Sequence, residues 1–161
     1  MLEELIKYFV YETKGHIIKT QLVKFLYLAD LYSVKWTGKQ LTELDWYYYN
    51  HGLWHEDIDM ALERMNGKEI CQELEGQAKL IKLGVEAGKT EDLNLPKSLM
   101  LMLDNIRKEW AGSGSDKLNQ LLDYVYETAP MVAVKGTYKP EEKVKLNLQK
   151  EREKLNEELG V

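Results

Sequence analysis

Residues 24–55 read KFLYLADLYSVKWTGKQLTELDWYYYNHGLWH, and the order of elements in this stretch decides the fold. From Lys24 the chain is almost wholly apolar, and a helix without a polar face belongs in the middle of a domain. Gly38 breaks it. Asp45 to Asn50 then sets four aromatic side chains in a row, a composition that favours a pleated strand. Alternation sends Trp46 and Tyr48 to one face and Tyr47 and Tyr49 to the other, and usually only one face meets a core. Gly52 follows, flanked by His51 and His55. A buried helix leading into a strand ringed with aromatics predicts a recognition surface more than a reaction centre.

Outward from this stretch the elements follow by periodicity. Leu2, Leu5, Ile6, Phe9 and Val10 have the spacing of a one-sided helix that Gly15 ends. The second helix is predicted from Ile17 to Lys35, with Ile18, Leu22, Phe25, Leu26 and Ala29 on one side and Val23, Tyr27 and Val34 on another. A third begins near His55. Glu56 and Asp57 complement its dipole, Ile58, Ala61, Leu62 and Met65 form its buried stripe, and Asn66-Gly67 stops it. Residues 69–83 read as a hairpin turning at Glu75-Gly76, expected to pair with the aromatic strand in one small antiparallel sheet. Gly84 to Asn94 is polar loop.

Pro96 opens a fourth helix with Leu99, Met102, Leu103, Ile106 and Trp110 inward. After a break at Gly112-Ser113-Gly114-Ser115, a fifth helix buries Leu118, Leu121, Leu122 and Val125 and ends before Pro130. From Glu141 a charged amphipathic helix carries a thin stripe of Val144, Leu148, Leu155 and Leu159, suited to docking on the domain edge or on a partner. The predicted class is α+β: one mainly helical domain with a small antiparallel sheet.

A length of 161 residues fits one domain. At that size folding buries roughly two-thirds of the extended chain's surface, so neither disulfide nor metal staple is required. The single cysteine, Cys71, permits no internal disulfide, which suits a reducing cytoplasm, and it reads as a buried, inert strand residue. There is no basic-then-apolar leader and no apolar run of about 18 residues, so neither secretion nor membrane spanning is expected. A net charge of −5 argues against a primary nucleic-acid role, which needs a cationic footprint.

Several constellations invite chemistry. His51 and His55 are four apart with Glu56 following, but Gly52 interrupts the helix that would bring both imidazoles to one face. A closed zinc site also needs four ligands; no metal is expected. Gly112 to Asp116 precedes a helix yet lacks the Gly-Lys-Ser/Thr ending of a phosphate cradle. No serine or cysteine lies in a nucleophile motif. We therefore expect no catalytic residue and no cofactor; a hydrolase built on His51 or His55 would need a cleft around them. A small DNA-binding regulator would need a basic helix face, whereas the lysines here interleave with acids.

Lys24, Tyr27 and Asp30 are spaced three apart on the apolar helix. They read either as a snorkelling lysine and an internally satisfied carboxylate, or as a polar seam meeting a partner. Trp46, Tyr47, Tyr48, Tyr49 and Trp54 read as half core and half interface, since aromatics anchor interfaces, or as covered on both faces by helices. With His51 these are the candidate partner-binding residues.

Three segments resemble the Panacea domain, the SocA-like antitoxin family that also includes phage-associated proteins. Lys24-Phe25-Leu26-Tyr27-Leu28-Ala29-Asp30 is similar to the family's K-x-L-Y-x-A helix. Thr37-Gly38-Lys39-Gln40-Leu41 is similar to its T-G-K-P-L turn, and Tyr49-Asn50-His51-Gly52-Leu53 to its Y-x-x-G-P segment; Gln40 and Leu53 stand where the family often has proline. A looser match reaches Glu127-Thr128-Ala129-Pro130. On this basis residues 1–138 are read as the antitoxin-like domain and 139–161 as the appended amphipathic helix. The resemblance implies a mostly helical fold with a small sheet. It also implies a non-enzymatic role in neutralising a cognate toxin by direct protein binding, and in one branch delivery of that toxin to a protease; with the cysteine usage, the expected location is cytoplasmic.

Overall fold

The computed structural model describes residues 1–49, 52–110, 115–136 and 141–161. Asn50 and His51, the Gly112 to Ser115 break apart from the backbone of Ser115, and the start of the segment after Gly136 lie outside them. The chain forms an α+β domain organised around one central helix.

Helix α1 (Leu2–Glu12) buries Leu5, Ile6, Phe9 and Val10 as the spacing predicts, with Tyr8 beside them. Its exit is tight. The Thr13 hydroxyl donates to the Phe9 carbonyl at 2.7 Å, and Gly15 N–H donates to the Val10 carbonyl at 2.9 Å. Gly15 has φ +75°, and a Cβ there would lie 2.8 Å from the Leu83 nitrogen, so this crossing requires glycine on both counts.

The chain then pairs before it coils. Ile17–Ile18 form β1, and the helix expected from Ile17 begins two residues later as α2 (Lys19–Thr37). The β-branched pair finds a ladder partner, Ile17 opposite Ile81 and Ile18 opposite Leu80. The Gln21 side chain reaches back to the Ile18 N–H at 3.2 Å. Helix α2 buries Leu22, Phe25, Leu26, Leu28, Ala29 and Leu31 completely, nearly all the way round its axis. Gly38, at φ 80°, caps it.

Two three-stranded antiparallel sheets flank α2. The aromatic strand β2 is Tyr47–Tyr49, shorter than the Asp45 to Asn50 predicted, and runs between β3 (Gly52–Trp54) and a later strand. Helix α3 (Glu56–Met65) follows, with Ile58, Ala61, Leu62 and Met65 buried as expected. The hairpin is β4 (Ile70–Glu75) and β5 (Ala78–Leu83), joined through Gly76-Gln77. Its pairing corrects the expectation: β5 pairs with β1, not with the aromatic strand. Ile17, Ile70 and Ile81 are all buried, so the hairpin's apolar face is spent against the core near α1. Cys71 on β4 is half-buried rather than enclosed.

The polar segment from Gly84 contains a single 3₁₀ turn, Thr90–Asp92. Helix α4 (Lys97–Trp110) starts after Pro96 and buries Leu103, Ile106 and Trp110; α5 (Ser115–Tyr126) buries Leu121 and Val125. A short helix that periodicity missed, α6 (Ala129–Val134), has Pro130 in its first turn. The helix expected from Glu141 is also corrected. Val144–Lys145 form β6 against Tyr47 and Tyr48, and helix α7 (Gln149–Leu159) begins only afterwards. Leu146 and Leu148 are buried between them, which anchors the chain before α7 starts.

Candidate protein-binding surface

The site is built on Asp30. It sits fully buried on α2, and its two oxygens take four donors: Leu41 N–H at 3.0 Å, Thr42 N–H at 2.9 Å, the Thr42 hydroxyl at 2.5 Å and the Trp46 indole at 2.9 Å. Burial pushes its carboxyl above the ordinary range, opposed by those same donors. The Ser33 hydroxyl holds the Lys39 carbonyl at 2.7 Å, and the Gln40 amide reaches the Leu44 carbonyl at 2.6 Å. Together these bonds clamp residues 39–46 onto α2 and deliver Trp46, 1% exposed, to the root of the aromatic strand.

Tyr27 lies one turn before Asp30 and is fully buried. Its hydroxyl shares a hydrogen bond of 2.9 Å with Thr128, ahead of α6, and its ring meets Trp46 edge-on at 5.5 Å. Burial raises its pKa above the usual phenol range. Lys24, a turn earlier, is 7% exposed, and among the described residues no hydrogen bond or ion pair reaches its ammonium. Burial pushes its pKa down to about 8. Of these three residues, Asp30 and Tyr27 are bonded inside the domain, whereas Lys24 buries its stem and carries its ammonium to the surface.

The second flanking sheet separates the aromatics by face. Tyr48 stands opposite Leu53 and Val144, and both Tyr48 and Leu53 pack on the core; Tyr48 also meets the Tyr126 ring at 6.4 Å. Tyr47 stands opposite Trp54 and Lys145 on the other face, with Tyr49 two residues along. These rings form a half-exposed cluster in which Trp54 lies 6.1 Å from Tyr47 and 5.9 Å from Tyr49. Lys143 completes it, its ammonium 3.8 Å from the centre of the Trp54 ring and 5.8 Å from that of Tyr49. Lys145 pairs with Asp45 at 3.1 Å on the same edge.

His55 begins α3 at the foot of this face. Its Nδ1 accepts the Asp57 N–H at 3.1 Å, which caps the helix and places the remaining proton on Nε2. Burial holds its pKa below the usual histidine range, although Asp57, Asp45, Asp30 and Glu56 pull the other way. A cleft of about 320 Å³ opens here between Tyr47, Trp54 and His55 and the carboxylates of Glu43, Asp45, Glu56 and Asp57. Among the described residues no serine, threonine or cysteine lines it. Among the described residues no three histidine, cysteine, aspartate or glutamate side chains come together as a metal set, and His51 lies outside them.

Sequence reasoning separated the two faces of the aromatic strand but did not include Lys143, Lys145, Glu43 or Asp45 in the site. Lys143 and Lys145 lie almost a hundred residues downstream of β2, in a segment expected to be helical, and no local pattern pairs them with Trp54 and Tyr47.

An α+β domain that leaves one aromatic sheet face open and clamps the loop beneath it defines the class of protein. The chain belongs to the family described as antitoxin SocA-like, Panacea domain, which it matches over residues 22–158. That span takes in α2 from Leu22 onward, the β4–β5 hairpin, the whole of the aromatic sheet and all but the end of α7, while α1 and β1 precede it. Neither the curated proteins nor the solved structures contain a match. No helix among the described residues is long and apolar enough to cross a membrane.

Proposed function

We propose that this chain is a non-enzymatic antitoxin that neutralises a cognate toxin by direct protein–protein binding. Membership of the antitoxin family supplies the partner class. The observation that carries the reading at the level of residues is the open face of Tyr47, Tyr49 and Trp54. Three large rings are left half-exposed on a rigid sheet whose opposite side is packed on the core. Rigid aromatic anchors of this kind dominate binding energy at interfaces.

Lys24 is a further candidate contact on this reading, its stem buried and its ammonium at the surface with no counter-charge among the described residues. Helix α7 is the second contact element: Leu159 at its end is 64% exposed. Tyr27, Asp30 and Trp46 act from below by fixing the loop that carries the strand. The mechanism is either occlusion of the toxin's active surface or its presentation to a protease. Unchanged toxin levels during neutralisation mark the first, and accelerated loss of toxin marks the second. DNA binding finds less support, because Lys7, Lys19, Lys82, Lys108, Lys145 and Lys150 are all engaged with carboxylates.

The test is co-expression with the product of the neighbouring open reading frame. Rescue of growth and a stable complex are expected, and the absence of both rejects the proposal. Replacing Tyr49 and Trp54 by alanine should weaken the complex by about 2 kcal/mol or more per anchor without unfolding the domain.

A further inference from the structure

The cleft beside Trp54 already contains a clue to what enters it. Its walls combine two aromatic rings, Tyr47 and Trp54, with the carboxylates of Glu43, Asp45, Glu56 and Asp57. Asp45 is neutralised by Lys145, but among the described residues the carboxylates of Glu43, Glu56 and Asp57 make no hydrogen bond or ion pair. Among the described residues the cation set on the rings is the chain's own Lys143, from an exposed position ahead of β6. Aromatic faces attract cations electrostatically, and unpaired carboxylates around them add a second attraction of the same sign. A ring-and-carboxylate cleft already holding a lysine side chain is complementary to a cationic side chain.

We propose that this cleft is a receptor for an arginine or lysine side chain of a basic protein partner, and that Lys143 is its resident placeholder, displaced on binding. The assignment rests on the protein-binding reading above and names the chemistry of the partner's contact. A neighbouring cleft of about 530 Å³ shares Glu43 and Asp57 with the first and is lined by Leu2, Leu41 and Leu44. Thr42 and Arg64 also line that second cleft, so it is a mixed, mainly polar surface next to the inserted cation. The chain's net charge of −5 favours approach of a basic surface.

The probe is the peptide acetyl-Gly-Arg-Gly-amide, with citrulline in place of arginine as its neutral counterpart. Binding is followed through the indole N–H resonance of Trp54 in the full chain, assigned with Trp54→Phe. The arginine peptide should shift this resonance saturably and the citrulline peptide should not. Lys143→Gln, at an exposed site, should tighten binding about 2- to 5-fold by removing the competing ammonium. Glu43→Gln and Asp57→Asn should each weaken it, as should added salt. Equal shifts with citrulline, or no saturable shift in either the natural chain or Lys143→Gln, overturn the proposal. A toxin complex that survives Trp54→Ala at full affinity overturns the receptor and leaves the antitoxin reading standing. Arginine-specific binding at Trp54 in a chain that neutralises no toxin upholds the receptor and overturns the antitoxin reading.

Discussion

Asp30 and Lys24 are both charged, both buried on α2, and opposite in what they do for the fold. Asp30 collects four donors, so changing one oxygen to an amide sets a donor against a donor with no room to turn away. Asp30→Asn is expected to destabilise the domain by about 2–3 kcal/mol in urea unfolding at neutral pH. Lys24 has the opposite balance. Its folded pKa of about 8 lies below the ordinary 10.5, so the unfolded chain holds the proton more firmly. Stability associated with it is complete above 10.5 and is lost as pH falls through about 8. Lys24→Met, which keeps the length of the side chain, should therefore raise stability at neutral pH by roughly 1–3 kcal/mol. The gain should shrink toward pH 10.5. The spacing of Lys24, Tyr27 and Asp30 was legible in the sequence. Which of them finds partners was not, because the donors to Asp30 come from a loop whose path α2 alone does not set.

At the scale of elements, local chemistry explains most starts and stops. Helix α3 begins where His55 accepts the Asp57 N–H, which only the neutral imidazole can do with Nδ1. Its depressed pKa means that this contribution is complete above the ordinary 6.5 and is lost as pH falls through the folded value. His55→Asn offers a cap acceptor that does not titrate. Urea midpoints measured at about pH 7 and about pH 5 should differ less in this variant than in the natural chain. The hairpin was readable because Ile81 and Leu83 stand either side of Lys82 after a Glu75-Gly76 turn. Its partner was not, because β1 and β6 are two residues each and too short to carry a period. The short α6 escaped for the same reason.

At the scale of the whole molecule, α7 ties the C-terminal segment to the centre by polar contacts. The Gln149 amide donates to the Gly38 carbonyl at 2.9 Å and Arg152 to the Lys35 carbonyl at 3.2 Å, both at the negative end of α2. Glu151 accepts the Ala129 N–H at 2.9 Å at the start of α6. No residue of α7 is fully buried, so removing residues 149–161 should leave a folded domain weakened by about 2 kcal/mol. A reduced urea midpoint with retained cooperativity is the expected reading. On the proposed function, the deletion should also lower affinity for the toxin.

By itself the sequence determined the helical stripes, the buried central helix and the two-sidedness of the aromatic strand, because each depends on neighbours within a few residues. Tertiary structure decided which side of that strand stays open. A period of two makes the faces equivalent along the chain, and partners brought from elsewhere make them different: Tyr27 and Asp30 under Trp46, and Tyr126 and Val144 from far downstream against Tyr48.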